Sequence, residues 1–220
     1  MPTAARFQRA RKPDEKAQRR EAILEAAAQL FDEKGLDGVS LNAVARQVGI
    51  AKSNVYRYFD SREAIFLALL SEDQAAGVTL LEEALARLPA DAGIAGAARV
   101  LAARFVSAPR LSALMTALST VLEQNVSYEE VVLYKRNLMR LGLRVGNALR
   151  AVIPALPAHA VPAVLKYTHA GVAGLYPLAH PAPSAARALR EPDLAPLRVD
   201  FGADLEAFFV AILTLLCAAK

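Results

Sequence analysis

The sequence predicts an all-α fold, and three observations lead to this expectation. Helix-forming Ala and Leu outweigh β-branched and aromatic residues in a chain of 220 residues that is 55% hydrophobic and 22% charged. Apolar residues recur at helical spacing along most of the chain, and Pro or Gly residues separate these segments. At this length we expect either one large domain or a small domain joined to a larger one.

The first two helices are each predicted to end at a glycine. Apolar residues at helical spacing indicate a helix from about Asp14 to Lys34, and Gly35 terminates it. Ser40 is a good N-cap for a short second helix, which Gly49 closes. Two amphipathic helices joined by a short turn are therefore expected in this part of the chain.

A third helix follows the second with almost no linker. It is predicted from about Ala51 to Phe59, because only Gly49 and Ile50 separate the two patterns. A fourth helix then continues to Leu88, just before a proline. Two short helices that are joined by a tight glycine turn and packed on a third form the helix-turn-helix unit, so the sequence predicts this unit here.

The surface of the third helix combines polar and aromatic residues. Val55 and Phe59 lie four residues apart and are expected to pack inward. The remaining surface fits insertion into a major groove, where Asn, Lys and Ser can read base edges while Tyr and Arg bind phosphates. These residues are Lys52, Ser53, Asn54, Tyr56 and Arg57. An ordinary polar helix face is the alternative interpretation.

The net charge of +4 is concentrated near the N-terminus. Residues 1–62 contain twelve Lys or Arg and eight Asp or Glu, whereas the rest of the chain contains fourteen of each. Arg9, Arg11 and Lys12 belong to a basic segment that we expect to act as an arm on phosphates or in a minor groove. A solubilising tail is the alternative.

Residues 14–66 resemble the DNA-binding domain of the TetR (tetracycline-repressor-like) family. The resemblance rests on the order and spacing of "LFDEKG", "VSLNAVARQVGI", "KSNVYRYF" and "SREAIF". It implies an all-helical homodimer, usually a transcriptional repressor, whose C-terminal domain binds a small molecule and releases the DNA. It also implies a basic flexible arm at 1–13, a helix-turn-helix domain at 14–62, and an effector-binding and dimerisation domain at 63–220.

The resemblance also implies roles for single residues. Ser40 resembles the family's phosphate-binding N-cap, and Arg62 lies where a basic residue opens the fourth helix. The base and phosphate contact positions at the start of the third helix are occupied by Lys52, Ser53 and Asn54. The positions where hydroxyls meet the DNA backbone are occupied by Tyr56 and Tyr58. Ala51 departs from the family pattern, because many relatives have Ser or Thr there. The complete set of DNA-contact candidates is Ser40, Lys52, Ser53, Asn54, Tyr56, Arg57, Tyr58, Arg62, Arg9, Arg11 and Lys12.

The larger domain is predicted to hold the effector pocket. Its further helices are expected at about 92–107, 110–125, 128–153, 158–178 and 200–218. Effector pockets place a few polar groups among apolar walls, so polar residues that interrupt apolar helices are the candidates. The pocket candidates, polar except for Met115, are Arg104, Met115, Glu123, Asn125, Tyr128, Tyr134, Tyr167 and His169. For each, a satisfied core group or a surface residue is the alternative.

The last predicted helix carries more apolar surface than one neighbouring helix would cover. This excess predicts an interface with a second copy of the chain, in which residues 164–179 form the partner helix. The candidates for this interface are Leu175, Leu205, Phe208, Phe209, Ile212 and Leu216.

Several classes of protein are not expected. The chain has no G-x-S-x-G, no phosphate loop and no H-E-x-x-H, so neither an enzyme nor a metal or cofactor site is predicted. The single Cys217 excludes an internal disulfide framework and fits a reducing compartment. No apolar run follows the basic N-terminus, and the longest apolar run, 207–219, is shorter than the roughly 20 residues that cross a bilayer. We therefore expect a cytoplasmic bacterial protein without a membrane segment.

The functional expectation is a homodimeric repressor that binds a palindromic double-stranded DNA operator and is released by a small, largely apolar effector. The alternative is a DNA-binding factor of the same fold that is controlled by a protein partner or has no small-molecule effector.

The basic arm leads to a test by salt titration. Deleting residues 1–12 should lower operator affinity and flatten the dependence of log K on log salt concentration by about 0.9 for each lost phosphate contact. The free energy of unfolding should barely change, since no core residue is removed. An unchanged salt slope would show that the arm is a solubilising tail.

Overall fold

The computed structural model describes residues 13–218, and these residues form helices joined by turns, with no strand among them. The all-α prediction is therefore confirmed. The α-helices are α1 (Pro13–Lys34), α2 (Leu41–Val48), α3 (Lys52–Val55), α4 (Arg62–Ala86), α5 (Gly93–Val106), α6 (Pro109–Ala117), α7 (Tyr128–Val152), α8 (Val161–Ala179), α9 (Pro183–Ala188) and α10 (Phe201–Ala218).

Two predicted helices differ in extent from those observed, and a segment between predicted helices is itself partly helical. The third helix is shorter, because after Val55 the backbone tightens into turns in which Tyr58 N–H donates to Val55 C=O at 2.9 Å. The predicted helix 110–125 is divided into α6 and a π-helical turn over Leu118–Leu122. The proline-rich segment 179–197, between the predicted helices 158–178 and 200–218, contains α9 and a 3-10 helix over Pro192–Leu197.

The N-terminal three-helix unit forms because its caps and its apolar spacing agree. The Ser40 hydroxyl accepts a hydrogen bond from the backbone N–H of Ala43 at 3.2 Å, which satisfies a free donor at the start of α2. Gly49 ends α2 with φ of 73°, a left-handed conformation that glycine adopts without strain. Val44 and Val55 are fully buried between α1, α2 and α3. This packing holds α3 against the core of the unit.

Helix α4 connects this unit to the rest of the molecule. Ile65, Phe66 and Leu70, in its first half, are fully buried, and the Phe66 ring packs edge-on against Phe31 of α1. Its second half contributes Leu81 and Leu85 to the core of the larger domain. In that domain α4 packs along α7, α5 packs on α10, and α8 lies between α6 and α10.

Two glycines bring α7 and α8 into close contact. A side chain at Gly142 would place its Cβ 2.2 Å from Leu165 Cδ1, and one at Gly146 would place it 2.3 Å from Val161 Cγ2. Both distances are far below van der Waals contact, so α8 can lie at this separation only because α7 has no side chains at these positions.

Two helices, α4 and α10, are long and apolar enough to cross a membrane when judged by length and composition alone. For α10 the whole helix, Phe201–Ala218, meets this criterion, whereas the prediction considered the apolar run 207–219 alone. The apolar residues of α4 pack against α1, α5, α6 and α7, whereas α10 leaves part of its apolar surface uncovered.

Candidate DNA-binding surface and effector cavity

One face of α3 and of the turns after it packs in the core, and the other face is exposed to solvent, as the helical spacing predicts. Val55 is fully buried and Phe59 is 3% exposed, so one face of the segment belongs to the core. Tyr56 is 46% exposed although it is aromatic. The polar residues that remain open to solvent on this surface are Lys52, Ser53, Asn54 and Arg57. The surface can thus present amines, a hydroxyl, an amide and a phenol to a groove without disturbing its own core.

Several side chains on this surface already have partners that orient them. Lys52 Nζ lies 5.7 Å from the centroid of the Tyr56 ring, a distance that suits a cation–π contact. The Arg62 guanidinium pairs with the buried Glu63 at 3.1 Å and lies over the Phe66 ring. Ser40 is engaged as the N-cap of α2, and Tyr58 is half-buried.

Three of the sequence-based DNA-contact candidates, Arg9, Arg11 and Lys12, lie outside the described residues. The eight others all lie on the helix-turn-helix unit or on the first residue of α4.

A cavity of about 380 Å³ lies in the larger domain, between α4, α5, α6, α7 and α8. Its walls are mostly aliphatic, with Leu101, Leu111 and Leu138 among them, and a few polar side chains interrupt them. The polar and charged lining residues are Gln74, Arg104, Ser119, Tyr134, Lys135, Lys166, Thr168 and His169. An apolar enclosure with few polar groups is typical of small-molecule sites.

The structure brings half of the sequence-based pocket candidates to this cavity. Arg104, Met115, Tyr134 and His169 line it. The other four do not, and each lies elsewhere for a separate reason.

The four candidates outside the lining have different surroundings. Glu123 forms an ion pair with Lys135 and is not itself part of the lining. Asn125 is exposed in the turn before α7, and Tyr128, in the first turn of α7, is 78% exposed. Tyr167 is half-buried and packs against the hydrophobic core. The lining residues that sequence reasoning missed include Gln74, which ends the polar run 71–74 of α4 and so carries no signal that separates it from surface residues.

Tyr134 is a buried phenol in the cavity wall. Its side chain is 4% exposed, and its hydroxyl accepts a hydrogen bond from Gln74 Nε2 at 3.3 Å. Burial raises the pKa of Tyr134 to about 12, against the smaller opposite effect of the Gln74 hydrogen bond. The phenol therefore stays neutral at physiological pH, and Gln74 Oε1 remains buried without a hydrogen-bond partner among the described residues.

Among the titratable groups that line the cavity, His169 has the pKa closest to neutral pH. Burial is the main cause that lowers its pKa, and the positive charge of Lys135 lowers the pKa further. The negative charge of Glu123 acts in the opposite direction. His169 is therefore neutral at pH 7 and can donate or accept one hydrogen bond in the cavity.

A cluster of ion pairs joins the helix-turn-helix unit to the larger domain. Arg110, at the start of α6, donates two hydrogen bonds to Asp73 of α4, at 2.9 and 2.8 Å. It also donates one to Asp32 of α1 at 2.8 Å. The bonds to both carboxylates raise the pKa of Arg110, with Asp73 as the largest cause. The next residue of α6, Leu111, already lines the cavity.

Among residues 13–218 no group of three or more His, Cys, Asp and Glu side chains is arranged to hold a metal ion.

The fold and the exposed α3 surface define a helix-turn-helix DNA-binding protein of the all-helical type. Residues 23–69 match the family described as bacterial regulatory proteins, tetR family, and residues 71–219 match the tetracyclin repressor-like C-terminal domain. The chain therefore belongs to the TetR family of DNA-binding transcriptional regulators.

IcaR, a curated relative, is similar to a short part of the chain. The chain is 40% identical over 47 residues to the biofilm operon regulator IcaR of Staphylococcus aureus (strain Newman), which is 21% of this chain and 25% of IcaR. The match thus spans a quarter of the length of this relative.

Solved structures are similar along most of the chain. RolR in complex with resorcinol matches with a TM-score of 0.57 at 18% identity, covering 93% of this chain and 90% of RolR. FadR of Bacillus subtilis in complex with stearoyl-CoA matches with a TM-score of 0.51 at 15% identity, covering 91% of this chain and 98% of FadR. At such identities the likeness shows the fold alone.

The lowered pKa of His169 makes stability depend on pH. As pH falls below the ordinary imidazole value of about 6.5, the unfolded chain takes up a proton that the folded chain does not, so the free energy of unfolding falls. Urea unfolding at pH 7.5 and pH 5.5 should show this loss, and His169→Gln should reduce it.

Lys135→Met should raise the midpoint of the His169 Cε1–H titration in NMR spectra. A wild-type midpoint at or above 6.5 would contradict the burial of this imidazole.

Proposed function

We propose that this protein is a homodimeric repressor that leaves a palindromic operator when a small, largely apolar effector fills the cavity. One observation carries the proposal: α4 contributes to the core beneath the exposed α3 surface and also to the wall of the cavity. Ligand-bound RolR and FadR support an effector, and the name of IcaR, a negative transcriptional regulator, supports repression. As a DNA-binding regulator the protein acts in the cytoplasm.

The DNA contacts are assigned to the helix-turn-helix unit, residues 14–62, and to the arm that precedes it. Lys52, Ser53 and Asn54 are exposed at the start of α3 and can reach base edges, while Tyr56 and Arg57 can reach phosphates. The other candidates, Ser40, Tyr58 and Arg62 with the arm residues Arg9, Arg11 and Lys12, are proposed as backbone contacts.

The dimer interface is assigned to α8 and α10, within the effector-binding and dimerisation domain, residues 63–220. The exposed surface of these helices includes large apolar side chains: Leu178 is 58%, Val210 36% and Leu215 57% exposed. Apolar surface of this kind marks an interaction site. A two-fold axis through this face would set the two α3 surfaces at half-sites about 34–36 Å, or a multiple of that distance, apart.

Some of the predicted interface residues do not lie on this exposed surface. Leu205 and Phe209 are buried in their own chain, with the Phe209 ring stacked on Phe105 of α5, and Leu216 is buried as well. Leu175, Phe208 and Ile212 are half-buried and border the exposed face. The apolar residues of α10 therefore serve two surfaces, and a substitution at Phe209 would disturb the protomer before it tested the dimer.

The effector signal is proposed to pass through α6. Leu111 and Met115 of α6 line the cavity, and Arg110 at its start holds Asp32 of α1 and Asp73 of α4. A ligand that packs against α6 acts on the same helix that is tied to the DNA-binding unit. It releases DNA only to the extent that it binds the released conformation more tightly than the DNA-bound one.

Substitutions on α3 test the DNA-binding proposal. Lys52→Ala should weaken operator binding in gel-shift titrations by about 1–3 kcal/mol if Lys52 contacts a base, and should weaken binding to all sequences alike if it contacts a phosphate. Tyr56→Ala should weaken binding, and Tyr56→Phe shows whether the hydroxyl is the contact.

Arg87→Ala is the matched control, since it removes a positive charge from the far end of α4, where Arg87 is exposed. Its operator affinity should equal that of the wild type. If the α3 variants also bind the operator normally while their circular dichroism is unchanged, α3 is not the recognition helix.

The dimer is tested by Leu215→Asp, which places a carboxylate on the exposed face of α10 without touching the protomer core. Light scattering should show monomers, and operator binding should be lost with the dimer. Leu197→Asp is the control, because Leu197 is equally apolar and 65% exposed but lies outside α8 and α10. A Leu215→Asp protein that remains dimeric would place the interface elsewhere.

A further inference from the structure

The charged side chains that line the cavity all carry the same sign. Arg104, Lys135 and Lys166 line it, and no Asp or Glu is found among the described residues of its wall. Among mostly apolar walls, a cation without a paired carboxylate favours an anion more than it would at the surface.

Arg104 differs from the two lysines in having a buried donor without a partner in the described part of the chain. Its Nε is buried without a hydrogen-bond partner among the described residues. Asp73 is the carboxylate whose charge acts on it, yet Asp73 already accepts two hydrogen bonds from Arg110. Burial lowers the pKa of Arg104, and the negative charge of Asp73 acts in the opposite direction. Lys135, in contrast, is paired with Glu123, and Lys166 is exposed to solvent.

Gly77 of α4 provides the space in which the Arg104 guanidinium lies. A Cβ at Gly77 would be 2.6 Å from Nη2 and 2.8 Å from Nε of Arg104, so no larger residue fits beside this guanidinium as it is placed. Glycine inside a helix costs about 0.5–1 kcal/mol relative to alanine. Gly77 therefore lowers the stability of α4 at the place where the Arg104 guanidinium lies in the cavity wall.

We infer that the cavity binds an apolar monocarboxylate of about a dozen non-hydrogen atoms, whose carboxylate pairs with Arg104. A carboxylate offers the charge-assisted acceptor that Arg104 Nε lacks, in the planar geometry that a guanidinium matches. The aliphatic walls take the apolar body, and 380 Å³ corresponds to about a dozen water-sized volumes of roughly 30 Å³ each. The inference rests on the proposed function, because it names the class of effector for that cavity.

Calorimetry on the full chain without DNA tests the ligand class. The probes are decanoate and naphthalene-2-carboxylate, compared with decan-1-ol, 2-naphthalenemethanol and decylamine, which keep the apolar bodies and change the head group. At least one carboxylate should bind about tenfold or more tightly than its alcohol, and decylamine should bind most weakly. The inference is overturned if neither carboxylate binds, or if an alcohol or the amine binds as tightly as the acid.

Variants test the assignment to Arg104. Arg104→Met should bring the dissociation constants of acid and alcohol to within about twofold, while Arg99→Met, the same change at an exposed position of α5, should keep the wild-type preference. Gly77→Ala should weaken carboxylate binding by displacing the guanidinium, and it remains informative if Arg104→Met fails to fold. Carboxylate preference that survives both changes overturns the assignment.

Decanoyl-CoA separates a free acid from its thioester, which carries its negative charge on phosphates. Tighter binding of the thioester than of decanoate, insensitive to Arg104→Met, would also overturn the inference. Gel shifts with the same probes separate the inference from the proposed function. Decanoate that binds through Arg104 but leaves the operator occupied would contradict the switch alone, and release by the alcohol without the acid would contradict the ligand class alone.

Discussion

The burial of α4 in two successive cores is the interaction on which the rest of the structure depends. Ile65, Phe66 and Leu70 have no exposed surface and hold the three-helix unit to the helix, while Leu81 and Leu85 anchor the other half in the larger domain. Because a helix transmits displacement along its axis with little bending, the position of the α3 surface follows the packing around the second half of α4. The exposed α3 surface and the cavity wall thus depend on one packed helix rather than on two independent modules.

Arg110 adds a directional contact to this packing. It bonds α1 and α4 at once, and its side chain is only 26% exposed, so these ion pairs are less screened than ordinary surface pairs. Three hydrogen bonds to two carboxylates hold the guanidinium in one orientation. The start of α6 is therefore fixed relative to the DNA-binding unit, whereas its later turns face the cavity and lead into the π-helical segment at Leu118–Leu122. A π-helical turn is a weaker continuation of a helix and frequently occurs at functional sites.

The sequence predicts most of the fold because the relevant information is local. Ser40, Gly49 and the four-residue spacing of Val55 and Phe59 indicate the helix-turn-helix unit through capping and periodicity alone. The cavity depends on which helices meet, so polarity could indicate Arg104 and His169 but could not exclude Tyr128, whose exposure follows from the direction of α7. On α10 nearly every residue is apolar, and periodicity cannot separate the face toward the core, with Phe209, from the face toward solvent, with Leu215.

Because Nε of Arg104 has no partner among the described residues, a ligand in the cavity affects how long the protein persists in the cell. A buried donor without an acceptor makes the empty fold less stable, and a ligand that binds only the folded chain shifts the unfolding equilibrium by mass action. In a cell, where proteases remove chains that unfold, a stabilisation of about 1–2 kcal/mol changes abundance several-fold. An anion that meets Arg104 therefore slows the turnover of this regulator at the same time as it occupies the site, and the number of molecules present comes to depend on the concentration of that anion.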